Sequence, residues 1–396
     1  MPSVACGQET LRQLESQANQ LKSKGDAVGS LKAFEKAAAL APASGGIQDQ
    51  IGFLLAVLKR SGEAKYHFQR AIELEPDFAL AHYHLGVAYW LEQDLDRGIS
   101  QLQIAVELDP KTFDYRVYLG RALNATSHFR EALPHLQAAT ALNARHAEAW
   151  NQLGVALQNT GDSAGAVEAY HQSVSQDPSN LDARNNLGFM LVSTGRAEEG
   201  IAQFNKILET DPANNMARVN IGYAHLMKSE LSEAEVQFRE VLHRAPTLAI
   251  AHYDLGVTLK QKDDLDTAKV ELQRALELDP TMAEAHYTLG ISYWQSGDFE
   301  GAAKELQAAV ALRPDYAEAY FMLGTALKQK GDLDGAESAL RSAARLDPSN
   351  PGAYNTLGQV LRQKGDVEGS RQAFAEGARV KQNKEAALGK MLQKKP

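Results

Sequence analysis

Apolar and small residues recur along this chain in one repeating unit, clearest in AEAHYTLGISYWQSGDFEGAAKELQAAVALRP, Ala283 to Pro314. Within it His286, Leu289, Gly290 and Tyr293 fall at i, i+3, i+4 and i+7, one face of an α-helix. A second helix carries Ala302, Leu306 and Ala309 on its inner face, and Pro314 ends it by removing a donor and crowding the preceding turn. Between the two, Ser296-Gly297-Asp298 provides a turn and a side chain able to cap the second helix.

The Leu-Gly or Ile-Gly pair at the centre of the unit returns with its glycine at Gly52, Gly86, Gly120, Gly154, Gly188, Gly222, Gly256, Gly290, Gly324 and Gly358, every step 34 residues long. A helical glycine costs roughly 0.5–1 kcal/mol relative to alanine, so the set costs on the order of 5–10 kcal/mol unless something offsets it. Close backbone approach is the expected offset. Gly290 is expected to face Ala302, and Gly154 to face Ala166.

The pattern resembles the tetratricopeptide repeat, W-x2-L-G-x2-Y, then A-x3-F, then P. Trp150, Leu153, Gly154, Leu157, Ala166, Tyr170 and Pro178 stand at matching places. The resemblance implies an all-α fold, a right-handed α-solenoid or superhelix of tandem helix-turn-helix hairpins with one continuous core. About eleven repeats fill residues 11–384, the first of them degenerate, with Ala18 in the glycine position. Residues 1–10 are expected to be a disordered tail. Residues 385–396 are expected to extend the last helix as a cap and end in a basic tail that includes Lys390, Lys394 and Lys395. Ala144 stands where proline closes the other repeats, so a less sharply broken corner is expected there.

The formal charge of −9 argues against a nucleic-acid partner, which calls for a basic stripe. Cys6, the single cysteine, excludes an intramolecular disulfide and a cysteine-clustered metal site. Apolar runs such as Phe53 to Leu58 are too short to cross a bilayer. A cytoplasmic location is expected. The alternative is an exported or periplasmic protein whose Ser3 to Gly7 is the remnant of a lipoprotein signal. His82 and His84 are two residues apart on a helix and point to nearly opposite sides. His82, His252 and His286 occupy the fourth repeat position, where the family packs an aromatic, so a core role is expected. No metal, cofactor or phosphate-loop motif is read.

In the resembled family the first helices line the concave face through the second, fifth, ninth, twelfth and thirteenth repeat positions. Repeats here begin near Gly45, Ala79, Phe113, Ala147, Leu181, Asn215, Ala249, Ala283, Ala317 and Pro351. The groove candidates are then Tyr83, Val87 and Trp90, a polar stretch with Asn151 and Asn185, and an apolar stretch with Met216, Tyr223, Tyr253, Tyr287, Ile291, Trp294 and Phe321. Asn151, Asn185, Asn186 and Asn220 form a candidate ladder for a peptide backbone, since an amide side chain both donates and accepts. Lysine never takes the fifth position, which excludes the family's lysine and asparagine clamp for chaperone tails.

These readings point to a non-catalytic scaffold binding protein or peptide in the concave groove, with self-association a further option. The alternatives are the repeat region of, or an accessory subunit to, a protein glycosyltransferase, and an exported or lipid-anchored bacterial assembly factor. With residues 11–384 assigned to repeats, no catalytic domain fits inside this chain.

Overall fold

A computed structural model describes the backbone of residues 2–393 and the side chains of residues 8–387. Cys6 and the ends Lys390, Lys394 and Lys395 therefore have side chains outside the described residues. Among the described residues the fold is all-α, twenty-two helices in tandem pairs with no strand. Helix α1 runs Pro2–Ser23, so it starts ahead of Leu11, where the repeat pattern begins; much of the expected tail, residues 1–10, has side chains outside the described set. The last helix, α22, runs Val367–Gln393.

The helices group into two compact units, Met1–Thr194 and Gly195–Pro396, divided between the two helices of repeat six. In the first unit the leading helices of repeats two to five are α3 (Gly45–Val57), α5 (Ala79–Leu91), α7 (Phe113–Ala125) and α9 (Ala147–Thr160), followed by α11 (Leu181–Ser193). In the second unit they are α13 (Asn215–Met227), α15 (Ala249–Gln261), α17 (Ala283–Gln295), α19 (Ala317–Lys330) and α21 (Pro351–Gln363). Within each unit the leading helices pack on their own second helices, as α3 does on Ser61–Leu74 and α15 on Leu265–Leu278, and successive leading helices also touch one another, α3 to α9 in one unit and α13 to α21 in the other. They form the inner layer of each unit.

The repeat joint demands a left-handed residue, supplied by Gly297 at φ 81° and Gly161 at φ 89°, and elsewhere by residues such as Asp263 at φ 64° and Ser229 at φ 61°. Next to it, Asp298 accepts a hydrogen bond from the Gly301 amide at 2.9 Å, capping the second helix as its sequence suggests.

The regular spacing of the core glycines reflects a second close neighbour beside the one expected. A Cβ on Gly290 would lie 2.7 Å from Leu306 Cγ and 3.3 Å from the Ala302 carbonyl oxygen; a Cβ on Gly154 would lie 2.6 Å from the Tyr170 ring. The glycine thus makes room for the large side chain sixteen residues on and, in repeats such as that of Gly290, for the backbone twelve residues on as well. Phe68 fills the same place beside Gly52, Leu136 beside Gly120 and Phe238 beside Gly222. Alanines Ala166 and Ala302 are fully buried next to these plugs. Dense packing around a missing methyl offsets the propensity cost of the glycine.

The corner at Ala144 is as sharp as the rest: the helix Phe129–Leu142 ends two residues before it and α9 starts at Ala147. Its closure comes from the fourth repeat position, which in repeats three to nine bonds the carbonyl six residues earlier. Trp150 Nε1 donates to Ala144 O at 2.9 Å, Arg116 to Pro110 O at 2.6 Å, and Arg184 to Pro178 O at 2.7 Å. His82, His252 and His286 do the same, Nε2 lying 2.9, 3.1 and 3.3 Å from the Pro76, Pro246 and Pro280 carbonyls. Their Nδ1 atoms are 2.7 Å from Gln101, Glu271 and Glu305 on the second helix. These histidines brace a loop to a hairpin, and among the described residues no cluster could hold a metal ion.

Candidate binding faces of the inner helices

Side chains of the inner layer meet across repeats in two fixed registers. The fifth position of one repeat meets the sixth of the next, 35 residues on. Asp49 Oδ1 lies 2.7 Å from His84 Nδ1, the Tyr83 and Tyr118 rings meet edge to face at 5.4 Å, and Asn186 Nδ2 donates to Asn151 Oδ1 at 3.2 Å. In the second unit Tyr253 bonds Thr288 in the same register. The twelfth position meets the ninth of the next repeat, 31 residues on: Arg121 stacks over Trp90 at 4.8 Å, and Lys328 Nζ donates to Gln359 Oε1 at 2.5 Å.

In the first unit the candidates Tyr83, Val87 and Trp90 are half-buried on α5. Tyr83 packs against Tyr115 at 4.9 Å, bonds Tyr118, and has its phenol pushed up by burial. Trp90 meets Tyr118 edge to face at 5.9 Å, with the Arg121 guanidinium over both rings. Tyr115, Tyr118 and Arg121 were not among the residues singled out from sequence, although their spacing from Tyr83 and Trp90 was available. Asn151 is buried and its oxygen is taken by Asn186, so these two members of the candidate amide ladder bond each other. Asn185 is half-buried on α11. Beside it Phe189, also not singled out, is exposed.

In the second unit Met216 and Met227 lie at the two ends of α13, 48% and 55% exposed. Tyr223, Tyr253, Tyr287, Ile291, Trp294 and Phe321 are half-buried along the same layer. Tyr287 packs at 4.9 Å on Tyr316, whose other contact is the Arg313 guanidinium at 3.4 Å from its ring centre; Arg313 in turn pairs with Glu284 at 2.6 Å. Burial pushes the Tyr316 phenol up to about 12. Trp294 Nε1 is buried without an acceptor. Sequence reading also passed over Asp254 on α15, a residue only 7% exposed whose carboxyl burial pushes up to about 7. Tyr223 and Tyr253 are near enough to feel its charge.

Models described as the tetratricopeptide repeat match residues 117–180, 152–215, 191–249, 253–317, 287–351 and 321–386, with a further match over 79–112 and one to a TPR repeat over 60–93. No curated protein matches the chain. Among solved structures, a tetratricopeptide repeat protein from Parabacteroides merdae is similar at 15% identity, covering 63% of this chain and 98% of its own, with a TM-score of 0.58. Yeast Tom70 is 14% identical over 98% of this chain and 100% of its own, with a TM-score of 0.50. MamA is 27% identical over 42% of this chain and 97% of its own, with a TM-score of 0.41. The first two share the tandem helical architecture.

Proposed function

Because the chain belongs to the tetratricopeptide repeat family, we propose that it is a non-catalytic scaffold that holds partner proteins or peptide segments against the inner helices, principally those of the second unit. The observation that carries this reading is the strip from Met216 through Tyr223, Tyr253 and Tyr287 to Trp294, which combines exposed methionines with half-buried aromatics and ends on an indole N–H that lacks an acceptor. Tyrosine and tryptophan anchors dominate binding energy in protein interfaces, and apolar surface left open on such a layer marks an interaction site.

The test is affinity capture from lysate with the wild-type chain beside a Tyr287→Ala, Trp294→Ala variant of unchanged helicity. Partners held by the first and lost by the second support the reading, since each anchor contributes about 2 kcal/mol or more of binding energy. Identical partner lists would move recognition off this strip. No helix among the described residues is long and apolar enough to cross a membrane.

A further inference from the structure

Two charges on α15 lack the partners that their registers supply elsewhere in the inner layer. The 35-residue register sets Asp254 against Val219, which offers no donor. The residue is only 7% exposed, and burial alone pushes its carboxyl up, with no hydrogen bond to offset it. The 31-residue register sets Lys260 against Ile291, which offers no acceptor. Lys260 is half-buried, its acidity too is governed by burial alone, and among the described residues it enters no ion pair. The matched rungs differ: Asp49 has His84 on Oδ1, though its Oδ2 is buried without a partner, and Lys328 has Gln359.

The two charges cannot relieve each other. Six residues apart on one helix, they are separated by about 9 Å along the axis and about 120° around it. A carboxylate and an ammonium withdrawn from water without partners are costly, and such groups concentrate at functional sites. A segment that arrives with the opposite charges would satisfy both.

We propose that the inner face of repeat eight binds a protein segment that presents a lysine or arginine to Asp254 and, about three residues away, a carboxylate side chain to Lys260. Three residues of extended chain span about 10 Å, the separation of the two charges along α15. Tyr223 and Tyr253 beside Asp254 supply apolar and π surface for the stem and head of the basic side chain. This inference rests on the peptide-binding reading above and assigns its chemistry.

An array of immobilised nine-residue peptides, carrying every combination of Lys, Glu and Gln at two positions three residues apart, tests it on the full chain. Wild-type protein is expected to hold the Lys and Glu peptides about tenfold or more tighter than the Gln and Gln peptides. Asp254→Asn should erase the preference for Lys while keeping that for Glu, and Lys260→Gln should do the reverse. Absence of any charge preference in the wild type, or a preference that both variants retain, overturns the proposal. Charge-independent retention that is lost in the Tyr287→Ala, Trp294→Ala variant would leave the scaffold reading standing and sink this site alone. Retention of no peptide would sink the site, and lysate partners that survive in the double variant would sink the groove reading as well. Wild-type self-association in sedimentation that Asp254→Asn abolishes would assign the face to a second copy and overturn the peptide.

Discussion

The inner faces of the two units are written with similar residues and finished differently. Around α5 the aromatics close on one another: Tyr83 on Tyr115 and Tyr118, Trp90 on Tyr118, and Arg121 over the outer rings. Around α15 the layer keeps open ends, with methionines in solvent, an indole N–H without an acceptor, and a carboxyl and an ammonium whose acidities burial alone shifts. An aromatic at a groove position therefore says little by itself. What lies 35 or 31 residues on decides whether it is packing or invitation.

The largest loss of stability should come from opening the closed face. Tyr83→Ala is expected to lower the stability of the chain by about 2 kcal/mol in urea unfolding, as a half-buried ring packed on two tyrosines is removed; a loss no greater than that of Met216→Ala would erase the distinction between the units.

The two buried aspartates should answer with opposite signs. Asp49→Asn weakens the bond to His84 and is expected to cost about 1 kcal/mol. Asp254→Asn is expected to add on the order of 2–4 kcal/mol at pH 8. The folded carboxyl of Asp254 is raised from 3.8 to about 7, so the folded state holds its proton over that window and the unfolded state does not. Wild-type stability from this group is thus greatest below pH 4 and declines as pH rises to 7. The advantage of the asparagine should be small at pH 4 and complete above pH 7, and a gain independent of pH would refute the assignment.

Arg121→Gln removes a cation from over Trp90 and Tyr118 and should cost about 0.5–1 kcal/mol, with altered tryptophan fluorescence. Met216→Ser with Met227→Ser should change stability by less than about 0.5 kcal/mol while weakening partner capture; a large destabilisation would make these residues core.

The 34-residue period made the helices, their order and their leading faces legible, because the period-3.6 pattern and the turn residues repeat in register. Gly290 was visible as a site of close approach to Ala302, but its second neighbour, Leu306, was not. Leu306 competes with Ala302 for that space, and only the crossing of the helices shows that a large side chain occupies the gap. The asparagines were readable as a ladder, yet a side-chain amide satisfies another amide as readily as a peptide, and Asn186 and Asn151 do so. Asp254 went unnoticed because a lone carboxylate in a helix reads as solvated until the valine opposite it is known.

The plug of each glycine, Gly290 with Leu306 or Gly154 with Tyr170, lies wholly inside one repeat. A repeat duplicated or deleted as a block carries its plug along intact. A rung such as Asp49 with His84 bridges a seam, so every such rearrangement weds two residues with no shared history. Hairpin integrity is inherited with the module, while the lining of the inner face is rewritten at each junction, which lets a lineage of such chains acquire new recognition without having to reinvent its architecture.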